Sequence, residues 1–449
     1  MRATDMTVGK PGRLILSFAL PTMAGNVCQQ LYTIVDGAFV GRFAGINALA
    51  ALGAADWLSW MLLGVIVGYT QGFSILISQR FGAHNPLALR KAVGQSIFLT
   101  ALITLGLMAG SQLLIGPFLR VLNTPEEIFP QAALYLRILM AALPIFSAYN
   151  MQAGILRALG DSRTPLMAVL IASLSNIALD ALFVIYFRWG VAGAAAATVI
   201  AQVCSALICF RALVHLPMVH PGKRDFSWDR GEVRRLMSLG TPTAAQNVVI
   251  GLGGLAVQRV VNGYGSAVLA GFTATNKLYG LMEMAGISYG SALAAYTGQN
   301  YGAGSRQRIR SGVRFGAVMG VATSLFIAVL LFLFGRSVLS VFVDPLAPLK
   351  EQVLDVGVRY LNIMLAGLFI LYLLYVYRSA LQGMGDTVTP MLSGLVELVI
   401  RVSVAMLLPA VLGQDGIYLA EPAAWLGAEV LLMAKCYITM SKLRFEEEG

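Results

Sequence analysis

The chain has 449 residues, 57% of them apolar and 12% charged, with a formal net charge of +10. A mean hydropathy of +0.74 excludes ordinary soluble domains, which carry about 25% charged residues. It also leaves no polar stretch for a separate nucleotide- or DNA-binding domain, so the positive balance needs a topological explanation. The histidines His84, His215 and His220 and the cysteines Cys28, Cys204, Cys209 and Cys436 form neither a CxxC pair nor a ligand-spaced cluster. The cysteines read as small buried apolar residues.

A membrane helix takes roughly 20 residues. Apolar runs predict six spans at 14–38, 46–78, 88–115, 128–156, 165–187 and 190–214, and six more at 236–261, 267–298, 311–334, 353–382, 390–412 and 416–440. The first runs on towards residue 40, too far for a cleaved signal, and reads as a retained span. Twelve spans put alternate loops on opposite sides. The side of the N terminus holds 22 Lys and Arg, Arg378 among them. The other holds 6: Arg42, Arg120, Arg188, Arg259, Arg336 and Lys350. That excess places both termini in the cytoplasm and the chain in the cell (inner) membrane as a multi-pass protein.

The halves echo each other. Leu20-Pro21-Thr22 and Asn26-Val27 return as Thr241-Pro242-Thr243 and Asn247-Val248. Gln79-Arg80-Phe81-Gly82-Ala83 returns as Gln299-Asn300-Tyr301-Gly302-Ala303, and Gly160-Asp161-Ser162-Arg163-Thr164-Pro165 as Gly385-Asp386-Thr387-Val388-Thr389-Pro390. Three ordered echoes at about 220 residues imply duplication. The Gly-Asp-x-x-Thr-Pro segments suit tight turns, with glycine ending one helix, threonine capping the next and proline in its first turn. Six spans per half is even, so the repeats are parallel. A first lobe at 1–216, a cytoplasmic linker at 217–235 and a second lobe at 236–449 follow, with a substrate cleft expected between the lobes. Pro21 and Pro242 are expected to bend the first helix of each lobe. The small-residue run Gly190–Ala197 permits close helix packing.

Ionisable side chains in a bilayer core cost about 2.5–3.5 kcal/mol each on insertion scales, so those present carry functional information. Asp180 lies roughly 22 Å along its helix from the inner end, with Asn176 one turn away on the same face. Thr198 and Asp36 come to a similar depth. Two carboxylates, an amide and a hydroxyl together offer hard oxygen ligands for Na⁺, or a carboxyl pair that shares a proton. Polar groups satisfying neighbouring helices are the alternative. In the second half Glu397 and Arg401 are spaced i, i+4 and can neutralise one another. Lys277 and Glu283 could extend them to a balanced four-charge network, as a structural clamp or a second coupling or substrate site. Asp56 belongs to either class.

Pro21, Val35-Asp36-Gly37, the Gly160–Pro165 turn, Asn176-x-x-x-Asp180 and Gly193-Ala194-Ala195-Ala196-Ala197-Thr198 together resemble the multidrug and toxic compound extrusion (MATE) transporters, and the likeness covers essentially the whole chain. The resemblance implies an all-α polytopic membrane protein, two six-helix bundles forming a V, in which a Na⁺ or H⁺ gradient drives export of amphipathic, often cationic, compounds. It implies that Asp36, Asn176, Asp180 and Thr198 match a first-lobe cation site, and that Pro21 matches a helix bend. Gln29, Tyr32 and Asn150 match positions near the drug cavity. Some members carry an acidic residue in the seventh helix, but Thr243–Ile250 has none, which directs attention to Glu283, Glu397 and Arg401. The expected partners are amphipathic small molecules and the lipid bilayer, with no nucleic acid. The expected working unit is a monomer, and the only cofactor is the coupling ion.

A flippase for lipid-linked saccharides, from a related two-lobed family, is the alternative. It needs a cationic cavity for phosphates, which Lys277 and Arg401 allow but Asp36, Asp56 and Asp180 disfavour. With no HExxH, no GxSxG and no repeated filter loop, neither an enzyme nor a channel is expected.

Overall fold

The structure, a computed structural model, describes residues 3–121, 124–343 and 349–442. In lipid every backbone N–H and C=O must find an internal partner, so an apolar chain without a closed barrel folds as helices. The first half comprises α1 (Pro11–Phe39), α2 (Ile46–Gly82), α3 (Pro86–Val121), α4 (Phe129–Ala141), α5 (Leu143–Ala158), α6 (Arg163–Asp180) and α7 (Gly190–Val214). The second comprises α8 (Arg230–Val261), α9 (Ser266–Gly302), α10 (Arg306–Ser340), α11 (Lys350–Gly383), α12 (Val388–Leu407), α13 (Pro409–Leu412), α14 (Gln414–Tyr418) and α15 (Ala420–Lys442).

Among the described residues nine helices are long and apolar enough to cross a bilayer, and the pair α4–α5, bent by 49°, makes ten. Pro144 in the first turn of α5 supplies the break. The remaining expected spans fall on α1 and α9, helices of 29 and 37 residues that carry more polar side chains, Gln29 and Asp36 in one and Lys277 and Glu283 in the other.

The chain gathers into two compact units, Met1–Asp5 with Leu20–Ala244 and Met6–Ala19 with Ala245–Gly449. The division therefore falls inside α1 and α8, beside Pro21 and Pro242, and the 217–235 linker stays with the first unit. Polar anchors explain the assignment. In the second unit Met6 N–H donates to Gln299 Oε1 at 2.7 Å, while Arg308 donates to the carbonyls of Met6 and Gly9, each at 2.9 Å. In the first, Lys91 donates to Asp229 at 2.5 Å, and Gln95 donates to the carbonyls of Asp225 and Ser227 at 3.0 and 2.6 Å. There α2 and α8 also approach as closely as small residues allow. A Cβ on Gly68 would sit 2.4 Å from Ala244 Cα, and one on Gly72 2.5 Å from Gly240 Cα.

Turn geometry repeats with the sequence. Left-handed backbone occurs at Gly45 and Gly265, at His84 and Gly304, and at Gly160 and Gly385, pairs about 220 residues apart. In the Gly-Asp-x-x-Thr-Pro turns the capping side chain is aspartate, where the sequence pattern pointed to threonine. Asp161 Oδ1 accepts from Thr164 N–H at 3.0 Å and Asp386 Oδ1 from Thr389 N–H at 2.9 Å. The threonine hydroxyls donate back to the other carboxylate oxygen, at 2.6 and 2.8 Å. A carboxylate wins because it accepts both bonds at once while charged against the helix N-terminus.

Two tests follow from these contacts. At Gly160, φ is +79° and an added Cβ would lie 2.3 Å from Thr4 O, whereas at Gly190 φ is +57° with nothing within 4 Å. Left-handed strain alone costs about 1–2 kcal/mol, so Gly160→Ala should lower the Tm of the purified protein more than Gly190→Ala, and equal losses would contradict the Thr4 contact. Lys91, hydrogen-bonded to Asp229, holds that carboxyl below its usual range, with help from the Glu232 N–H. A depressed folded value stabilises the fold above the unfolded carboxylate pKa of about 3.9 and is lost as pH falls through the folded value. The Tm gap between wild type and Asp229→Asn should accordingly narrow as the medium is acidified from neutral.

Candidate functional site

In the first unit the ionisable residues sit where regular helix gives way. α1 is followed by a π-helical turn at Val40–Ala44, four residues beyond Asp36, and α6 ends at Asp180, directly before a π-helical turn at Ala181–Tyr186. Such turns re-aim side chains and recur at functional sites. Asp36 is 9% exposed, Asp180 is fully buried and Asn176 is 1% exposed. The Asp36 and Asp180 carboxyls stand within interaction distance of each other. Two ionised carboxylates have no donor between them and repel one another at such a separation.

Asn176 organises the surroundings. With its amide turned to satisfy both neighbours it donates to Asp180 Oδ2 at 3.2 Å and accepts from the Thr198 backbone N–H at 3.2 Å. Thr198 Oγ1 donates to Ala194 O at 3.0 Å, which leaves its lone pairs available. Gln29, Tyr32, Asn176 and Thr198 line one cavity, with Tyr149, Ser173 and Gln202. Its volume, about 20 Å³, holds a water or a small ion rather than a drug-sized molecule. Asn150 is not among the lining residues, and its amide donates to Phe146 O at 2.8 Å. The Asp56 side chain lies outside the described residues.

The second unit holds a different arrangement from the one expected. Glu397 and Arg401 do pair, at 3.7 Å, but the other members are Arg378, bonded to Glu397, and Glu421, which accepts from Arg401 at 2.9 Å. Arg378 was counted by its sequence position as a loop cation, yet it lies within α11 at 7% exposure. Glu283 is hydrogen-bonded instead by the Tyr375 hydroxyl, at 3.2 Å, and by Tyr279. Lys277 is exposed and makes no ion pair among the described residues. Six residues along a helix turn the side chain by about 120° in net terms, so Lys277 and Glu283 cannot share a face of α9. Sequence spacing within one helix located Glu397–Arg401. The partners on α11 and α15 come from helices adjacent only in the fold. Glu429, 5% exposed in α15, is a further buried acid, and as a lone carboxyl deep in an apolar span it meets the same sequence criterion as Glu397.

A family model described as MatE matches residues 21–182 and 242–407, two segments that follow the internal repeat and cover more than half of the chain. The probable multidrug resistance protein YpnP of Bacillus subtilis is 28% identical over 419 residues, 93% of either chain. The probable multidrug resistance protein NorM of Thermotoga maritima is 26% identical over 395 residues, 84% of this chain and 81% of that one. A solved MOP superfamily transporter from Pyrococcus furiosus shares the fold over 99% of both chains, with a TM-score of 0.93 at 22% identity. With its duplicated all-helical architecture and both halves matched by one family model, the chain belongs to the MATE family of membrane transporters.

Proposed function

We propose that this protein is a secondary active multidrug exporter of the cell membrane, with cytoplasmic termini, that exchanges amphipathic, often cationic, organic compounds for H⁺ or Na⁺ by alternating access. Its relatives' names, probable multidrug resistance proteins, support the substrate class. The observation that carries the coupling role is the proximity of the buried carboxyls of Asp36 and Asp180, with the Asn176 amide beside Asp180. Like charges this close in a low-dielectric site cannot both persist, so one positive ion must accompany them. Two carboxyls that face each other favour a proton as that ion, and Asn176 and Thr198 would complete an oxygen-lined site if Na⁺ enters.

In this cycle the ion entering from outside neutralises the Asp36–Asp180 pair, the first unit repacks and the substrate leaves. Loss of the ion restores the repulsion and the state that accepts new substrate. Each ligand drives its step only through different affinities for the two states. Gln29 and Tyr32 line the cavity of Asn176 and Thr198 and would pass the change to the substrate, with Asn150 as a more remote contact.

The test is efflux from proteoliposomes with pH and Na⁺ gradients imposed separately. A pH gradient alone should drive export by wild type. Asp36→Asn, which keeps volume and removes the titrating group, should reduce driven export about 5- to 150-fold, the usual span of coupling energies, with folding intact. Gradient-driven export at the wild-type rate in that variant would reject the assignment. Export driven only by Na⁺ would keep the site and reject the proton as its ion.

A further inference from the structure

The buried charges of the second unit do not balance. Arg378, Glu397, Arg401 and Glu421 form an alternating string of two cations and two anions, each ion-paired with the next. Glu429 is additional. It stands near the middle of α15 at 5% exposure, and among the described residues neither Oε1 nor Oε2 has a hydrogen-bond partner. Arg378, Tyr377, Arg401 and Asp415 stand on elements packed against α15 and have other partners, although Arg378 Nε has none among the described residues. On α11, Arg378 is bonded to Glu397, and the Tyr377 hydroxyl pairs with that of Tyr437 at 3.4 Å. On α12, Arg401 is divided between Glu397 and Glu421. On α14, Asp415 is held by Arg359. On α15 itself, Cys436 is a buried thiol.

Two guanidiniums thus serve Glu397 and Glu421, tyrosine hydroxyls serve Glu283, and Glu429 is left without a donor among the described residues. An ionised carboxylate without a donor costs several kcal/mol in such a site, so Glu429 must be neutral. Arg378 is also the cation whose field reaches Glu429. It can leave Glu397 without stranding it, because Arg401 lies against the other Glu397 oxygen.

We propose that Glu429 is a proton-carrying site of the second unit, protonated while Arg378 is bonded to Glu397 and ionised when Arg378 turns to it. In the exchange the O–H bond of the Glu429 carboxyl breaks, the proton leaves to water, and the carboxylate charge is taken up by the Arg378 guanidinium. Glu397 keeps Arg401. The site is separate from Asp36 and Asp180 and does not rest on their role.

Infrared difference spectroscopy of the full-length protein in lipid, stepped from mildly acidic to mildly alkaline pH, reads this directly through the C=O stretch of protonated carboxyls. Wild type should show such absorption diminishing as pH rises, and Glu429→Gln, of equal size and always neutral, should lose the component that Glu429 contributes while keeping that of the first-unit pair. Asp36→Asn combined with Asp180→Asn should retain the Glu429 component, which separates this result from the fate of the first-unit site. Arg378→Gln, which removes the cation whose field reaches Glu429, should retain the Glu429 component at every pH. Should Glu429→Gln fail to fold, Glu429→Asp should shift the band's frequency. A band identical in wild type and Glu429→Gln, or one that no pH step diminishes in wild type, would overturn the proposal.

Discussion

A bilayer core does not solvate charge, and this one constraint governs where each ionisable side chain can stand. Every buried carboxyl must find a guanidinium, a hydroxyl or a proton. Where the partner is a permanent cation, as for Glu397 between Arg378 and Arg401, the outcome is a clamp that ties α11, α12 and α15 together. Where hydroxyls serve, as Tyr375 does for Glu283, the carboxyl gains a donor at the edge of that clamp without a cation of its own. Asp36 and Asp180 face each other, and Glu429 has no hydrogen-bond partner among the described residues, and these are the carboxyls for which a proton is proposed above.

The same solvent explains the packing. Lipid gives helices no hydrophobic reason to associate, so close approach depends on shape. Gly68 and Gly72 let α2 meet Gly240 and Ala244 of α8 almost backbone to backbone. Fixed contacts of this kind make the inner portions of α1 and α8 members of units other than those their continuations join. Pro21 and Pro242 stand beside those transfer points, where each removes one backbone donor from its helix. The duplication has carried this device into both halves.

Much of the chain was legible as written. Apolar run lengths gave the helices, and ordered echoes gave the repeat, which the paired left-handed turns at Gly45 and Gly265 and at Gly160 and Gly385 reproduce in backbone geometry. Spacing also grouped Asn176 with Asp180 and Glu397 with Arg401, because residues four apart on a helix are bound to share a face. The depth estimate placed Asp36 and Thr198 at a matching level, and the fold brings both to Asn176 and Asp180. Glu283 and Lys277 were grouped by depth as well, and there depth misled because it carries no information about helix rotation.

What the sequence by itself determined is what depends on neighbours along the chain: span length, turn chemistry, repeat and same-face pairs. Only the tertiary structure decided which cation meets which anion. Arg378 and Glu397 belong to different helices, and the contact of one helix with another depends on rotation about each axis, which packing of the whole unit settles. The loop-like position of Arg378 and the isolation of Glu429 therefore acquired meaning only once α11, α12 and α15 were set side by side.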